Sequence, residues 1–103
     1  MDQNTKDQSR VFEALGNEVR LSIVLMVARE KSLSCGDILK KFRLAQPTMS
    51  HHLNKLVLAG VLSASKEGVR HRYTVNVARL RVLGLNLKNM NNSITINKKG
   101  EER

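Results

Sequence analysis

Between Thr5 and Ala59 the chain is divided into four short stretches of helical periodicity, and a hairpin signal follows them. Isolated helices below about 12–15 residues are marginal in water, so such stretches must bury their apolar stripes against one another. The first runs from about Lys6 to Leu15, with Thr5 and Gln8 at capping-box spacing and Val11, Phe12 and Leu15 as its stripe. Gly16-Asn17 stops it, and Asn17 caps a second helix over about Glu18 to Glu30. Leu21, Val24, Leu25 and Ala28 share one face there. Apolar residues cover most of its circumference, which marks it as the central buried helix.

Ser34 and Asp37 repeat the capping-box spacing, and Cys35, Ile38, Leu39 and Phe42 follow the i, i+3, i+4, i+7 pattern. Lys40 and Lys41 close this third helix with charges suited to its dipole. A turn at Arg43-Leu44-Ala45 leads to a fourth helix from Gln46 to Ala59, where Pro47 is tolerated in the first turn and Gly60 ends the run. Two β-rich runs, Val61–Lys66 and Val69–Val75, meet at Glu67-Gly68. Asn76 then caps a last helix with Val77, Leu80, Leu83 and Leu87 on one side. The expected fold is mainly α with a small β-hairpin, in the order α-α-α-α-β-β-α. Residues 1–7 read as an N-terminal arm, 8–87 as one domain and 88–103 as a polar, flexible tail.

Charge divides along the same lines. The net charge is +9, and residues 40–81 alone carry nine Lys or Arg against one acid, Glu67, for a net +8. A localised basic block is the electrostatic footprint of a nucleic-acid binder, though a solvated basic surface would look the same. No apolar run approaches the ~18–20 residues of a membrane span, and no signal-peptide core opens the chain. The expected location is therefore the cytoplasm, with no membrane partner. The single cysteine excludes an intrachain disulfide framework and any Cys-rich zinc module.

The third helix, the turn and the fourth helix form a helix-turn-helix candidate, with the hairpin as a wing. With Met49 placed inward, Leu53 and Leu56 fall beside it. Thr48, His51 and Lys55 then point away with Asn54 on the flank, and Leu58 also points outward. Gln46 and Ser50 lie at the helix start, where free backbone N–H groups favour a phosphate. This outer set can hydrogen-bond bases and phosphates. On the second hairpin run Val69, His71, Tyr73 and Val75 share one face, while Arg70, Arg72 and Thr74 share the other. Arg70 and Arg72, with Lys66 across the turn, are expected to straddle phosphates, or alternatively to protect a sheet edge.

These residues resemble the ArsR/SmtB family of bacterial winged-helix repressors. The resemblance runs over about residues 8–87, through Ala14–Leu21 (ALGNEVRL), SCGDILKKF, Gln46–Leu62 (QPTMSHHLNKLVLAGVL) and Glu67–Asn76 (EGVRHRYTVN). It implies a homodimer built from the first and last helices, bound to double-stranded operator DNA and released by an effector. It also matches Gln46, Ser50 and His51 to the family's base- and phosphate-contacting positions. The chain departs from the pattern at Ala45, often a capping Ser in the family, and at Arg43, often Gly.

The family's metal sites are where the departure is largest. The last helix, VARLRVLGLNLK, has no His, Asp or Glu for the family's site there. The Cys-x-Cys position holds one thiol, Cys35. No metal, cofactor or identified effector is therefore expected. Cys35 reads either as a small residue packed inside the third helix or as a reactive effector thiol at a helix N-terminus. His51 and His52 point in different directions and make poor joint ligands. Ser50, His51 or His52 with Asp37 would need a nucleophile elbow that is lacking, so the chain is expected not to be an enzyme. RNA or protein contact is the competing function, but stacking aromatics are few, namely Phe12, Phe42 and Tyr73. The apolar stripes of the outer helices predict a dimer through Val11, Leu15, Val77, Leu80, Leu83 and Leu87.

Overall fold

The computed structural model describes residues 2–84. In chain order it contains α1 (Gln3–Leu15), α2 (Glu18–Glu30), the short strand β1 (Leu33–Ser34), α3 (Cys35–Lys41) and α4 (Gln46–Leu58). The hairpin strands β2 (Leu62–Glu67) and β3 (Arg70–Val75) follow, and then α5 (Val77–Val82). All three strands are antiparallel, in the order β1-β3-β2. This is the winged helix-turn-helix fold that the pattern of helices and hairpin predicts.

The central position of α2 follows from its composition. Ile23, Val24 and Val27 are fully buried, and Ile38 of α3, Met49 and Leu56 of α4, Val61 and Leu80 of α5 close around the same core. Asn17 caps α2 by accepting from the Arg20 N–H at 3.0 Å. The capping box of α3 forms as its spacing predicts: Ser34 Oγ accepts from the Asp37 N–H at 3.1 Å, and the Ser34 N–H donates to Asp37 Oδ2.

Two boundaries differ from the sequence expectation. α1 begins at Gln3 rather than Lys6, because Asp2 supplies the cap in place of Thr5. Asp2 Oδ1 accepts from the Thr5 N–H at 2.7 Å, and a carboxylate there also suits the helix dipole. Residues 3–7, read as an arm, are thus the first turns of a helix. At the other end α5 stops at Val82, with Leu83 as its C-cap and Gly84 at φ 76. Leu87 and the tail 88–103 lie outside the described residues. A third difference is β1, which no periodicity marks. Leu33 pairs with Tyr73 and Ser34 with Arg72, fastening the wing to the segment that opens α3.

The corner between α4 and the wing is built from backbone. The Val61 N–H donates to the Leu56 carbonyl at 3.0 Å, and the Asn76 N–H to the Val61 carbonyl at 2.9 Å. Gly60 turns there at φ 80, and a Cβ would stand 2.8 Å from Arg79 Nε. α4, the hairpin and α5 are therefore held in one frame. The wing turns over Gly68-Val69, with Gly68 at φ 62, as a tight hairpin turn requires.

Ala45 is the N-cap of α4 and offers no side-chain bond. Ala45→Ser should accept from the Thr48 N–H and raise stability by about 1 kcal/mol. Chemical denaturation with an unchanged m-value checks this.

Candidate nucleic-acid interface

α4 presents two chemically distinct faces. Met49, Leu53 and Leu56 are at most 2% exposed. Gln46, Thr48, Ser50, His51 and Asn54 are all exposed, with His51 and Asn54 opposite the buried face and the other three at the helix start and flanks. The Gln46 and Thr48 N–H groups of the first turn receive no side-chain cap. A surface of amides, hydroxyls and an imidazole beside a helix N-terminus suits an anionic, hydrogen-bonding ligand. Leu58 is exposed too, at the far end of the helix.

The remaining predicted contacts divide. Lys55 is half-buried and its Nζ lies 3.2 Å from Glu13 Oε1 of α1, so it ties α4 to the body. Arg70 and Lys66 are exposed on the wing. Register, however, sets them on opposite faces. Lys66 stands opposite His71 on the face of Tyr73, while Arg70 faces Glu67 and shares its side with Arg72. Arg72 is already engaged: Nε lies 2.9 Å from Glu67 Oε1 and Nη1 donates to Ser32 Oγ at 2.8 Å. Two of the cations read as phosphate contacts therefore have a structural bond as well. Arg72→Ala should loosen the wing against the α2–β1 segment, seen as faster amide exchange across β3.

Burial also corrects the dimer expectation. Val11 and Leu80 are at most 1% exposed within a single subunit, so they belong to its core. Their spacing is right for an apolar stripe, but a small domain turns such a stripe inward before offering it to a partner. Leu15 and Leu83 are half-buried. The apolar side chains left outside on α1 and α5 are Phe12, Val77 and Val82, with Val82 79% exposed. Gln8 and Val11 of α1 line one groove with Ala78, Val82 and Leu83 of the α5 segment.

Sequence reasoning missed Arg20 and His52. Arg20 is buried on α2 at the same helical face as Ile23, Val24 and Val27. A lone charge in that stripe is the signal that could have found it, since buried charges require partners. Its Nε donates to the Ala14 carbonyl at 2.8 Å, at the C-terminal end of α1 where a cation suits the dipole. Its Nη1 lies 3.3 Å from His52 Nδ1 on α4. Burial, and then the positive charges of Arg20, His51 and Lys55, hold the His52 imidazole below its ordinary value. Cys35 is half-buried against the core at the first residue of α3. Among the described residues, no three His, Cys, Asp or Glu side chains gather as metal ligands.

Known proteins resemble this chain in sequence and in fold. A family described as Helix-turn-helix domain matches residues 15–63, from the end of α1 into β2. The arsenical resistance operon repressor of Staphylococcus aureus is 33% identical over 88 residues, covering 85% of this chain and 84% of that protein. The cadmium resistance transcriptional regulatory protein CadC of Listeria innocua serovar 6a is 34% identical over 88 residues, covering 82% of this chain and 74% of CadC. The solved structure of HlyU from Vibrio cholerae N16961 superposes with a TM-score of 0.65 at 31% identity, covering 73% of this chain and 80% of that one.

Proposed function

Because the chain belongs to the ArsR/SmtB family of helix-turn-helix transcriptional regulators, we propose that it is a dimeric repressor that sets α4 into the major groove of an inverted-repeat operator. Like its relatives it is a DNA-binding regulator and not an enzyme. The observation that carries the finer reading is the division of α4 into a buried apolar face and an exposed hydrogen-bonding face. Gln46, Ser50 and His51 take the base edges and nearby phosphates, and Thr48 and Asn54 flank them. Lys66 and Arg70 reach phosphates from the two faces of the wing. Lys55 and Arg72 add charge near the backbone while bracing α4 and the wing.

A single recognition helix contacts too few bases to specify a site alone, so the dimer is part of the reading. Phe12, Val77 and Val82 supply exposed apolar surface on the first and last helices, and Leu15 and Leu83 extend it. The names of two relatives refer to arsenicals and cadmium, but this chain brings one thiol and an α5 without His, Asp or Glu. The reading therefore assigns it neither a last-helix metal site nor a paired-thiol site.

Selection of genomic duplex fragments on the purified protein tests this. The enriched fragments should share an imperfect inverted repeat with half-sites about 34 Å apart. They should outcompete single-stranded RNA at low and at high salt. Equal retention of RNA and random duplex would sink the reading.

A further inference from the structure

We propose that Arg20 is a positioning residue for operator recognition, acting through the neutral imidazole of His52 to hold α4 at its working angle. The proposal rests on α4 being the helix that enters the groove. Arg20 is 8% exposed and bridges three helices. One edge of its guanidinium is fixed to the end of α1, with Nε on the Ala14 carbonyl and Nη2 3.5 Å from the Glu13 carbonyl. The other edge reaches His52, which lies next to the exposed His51 on α4. A fixed cation thus connects the α1–α2 corner to the middle of the recognition helix.

The connection works in one protonation state. Nδ1 accepts from Arg20 only while it carries a lone pair. The surroundings of His52 are predominantly cationic: Arg20 comes from α2, and His51 and Lys55 from α4 itself. From α1, the Glu13 carboxylate is occupied by Lys55. β2, which also packs on α4, is uncharged from Leu62 to Ser65. A proton on His52 would place a second cation 3.3 Å from Arg20, and among the described residues the charges that act on the ring are all cationic. The folded state therefore keeps His52 neutral below the pH at which the unfolded chain protonates it. The stabilisation is complete above the ordinary value of 6.5 and is lost as pH falls through the lowered one. Released from Arg20, α4 keeps its buried apolar face but loses a fixed point on its flank.

The chain has three histidines, so His51→Gln with His71→Gln leaves His52 as the only imidazole. The full-length double variant is titrated by anisotropy against the highest-affinity duplex from the genomic selection, from about pH 8 down to about pH 5.5. Its affinity should hold through pH 6.5 and fall only as pH drops through the lowered value of the folded-state His52 ring, by up to about tenfold per pH unit for one coupled proton. Adding His52→Gln, which retains an acceptor oxygen, should flatten that profile whatever the affinity at the alkaline end. A profile unchanged by His52→Gln, or one that rises towards acid, overturns the proposal. Failure of the double variant and the native protein to bind duplex at the alkaline end would instead overturn the placement of α4 in the groove. A second readout needs no DNA. The Arg20 guanidinium NMR signals of the double variant should shift together with the His52 ring titration, and signals that stay constant through it would show that the tie is absent.

Discussion

Leu80→Asp should abolish folding, while Val82→Asp should leave a folded monomer that binds its operator about 10²–10⁴-fold more weakly. The two positions are two residues apart on α5, yet Leu80 is 1% exposed and Val82 is 79% exposed. An aspartate at Leu80 would bury a carboxylate with no partner. That costs several kcal/mol against a total stability of roughly 5–15 kcal/mol, enough to empty the folded state of a domain this small. An aspartate at Val82 meets water in the isolated subunit and should change its stability by about 0.5 kcal/mol or less. Its effect appears only where two α5 segments meet, because a desolvated carboxylate there opposes association. Operator affinity then falls because one half-site no longer raises the effective concentration at the other. Circular dichroism separates the unfolded from the folded variant, and sedimentation velocity reads the oligomer. A native chain that sediments as a monomer at micromolar concentration would remove the dimer from the proposed function.

Gln46→Ala should cost about 1–3 kcal/mol on the selected operator and little on random DNA, whereas Arg70→Ala should weaken both alike. Gln46 is exposed at the start of α4 and carries an amide that can pair with both hydrogen-bonding groups of adenine. Arg70 is exposed on the wing and bears charge without a fixed base partner. Loss of one phosphate contact should reduce the slope of log affinity against log salt by about one. The measured quantities are thus a specificity ratio for one variant and a salt slope for the other. If both variants lose affinity equally on specific and random duplex with the same slope, α4 does not read bases.

The helix-turn-helix and the wing were legible because their signals are local. A capping box at Ser34 and Asp37 and a proline in the first turn at Pro47 act within one turn of chain. Gly68 likewise marks the hairpin from neighbouring residues alone, although the turn closes over Gly68-Val69, one residue later than the expected Glu67-Gly68. The inward set of α4 was legible for the same reason, since a period of 3.6 residues identifies Met49, Leu53 and Leu56 before any partner is known. Less visible was the start of α1, where Asp2 and Thr5 both have capping chemistry and only Asp2 closes the first turn. The end of α2 had no glycine to mark it, and the chain turns there at Lys31 with φ 74.

By itself the sequence determined the order of the elements, the apolar face of each helix, the basic block between residues 40 and 81, and the resemblance to a repressor family. Tertiary structure alone decided which apolar side chains face the core and which are left outside. Periodicity names a face but not what covers it, so Val11 and Val77 could not be distinguished until packing buried one and left the other outside. It also decided which cations are available. Lys55 and Arg72 look like Lys66 and Arg70 in a sequence, but Glu13 and Glu67 with Ser32 reach the first two from elsewhere in the chain. Arg20 and His52 meet across 32 residues, and β1 meets β3 across about the same distance in sequence as 34 is from 72. Long-range pairs of this kind leave no periodic trace, because their energy depends on where the fold places both ends.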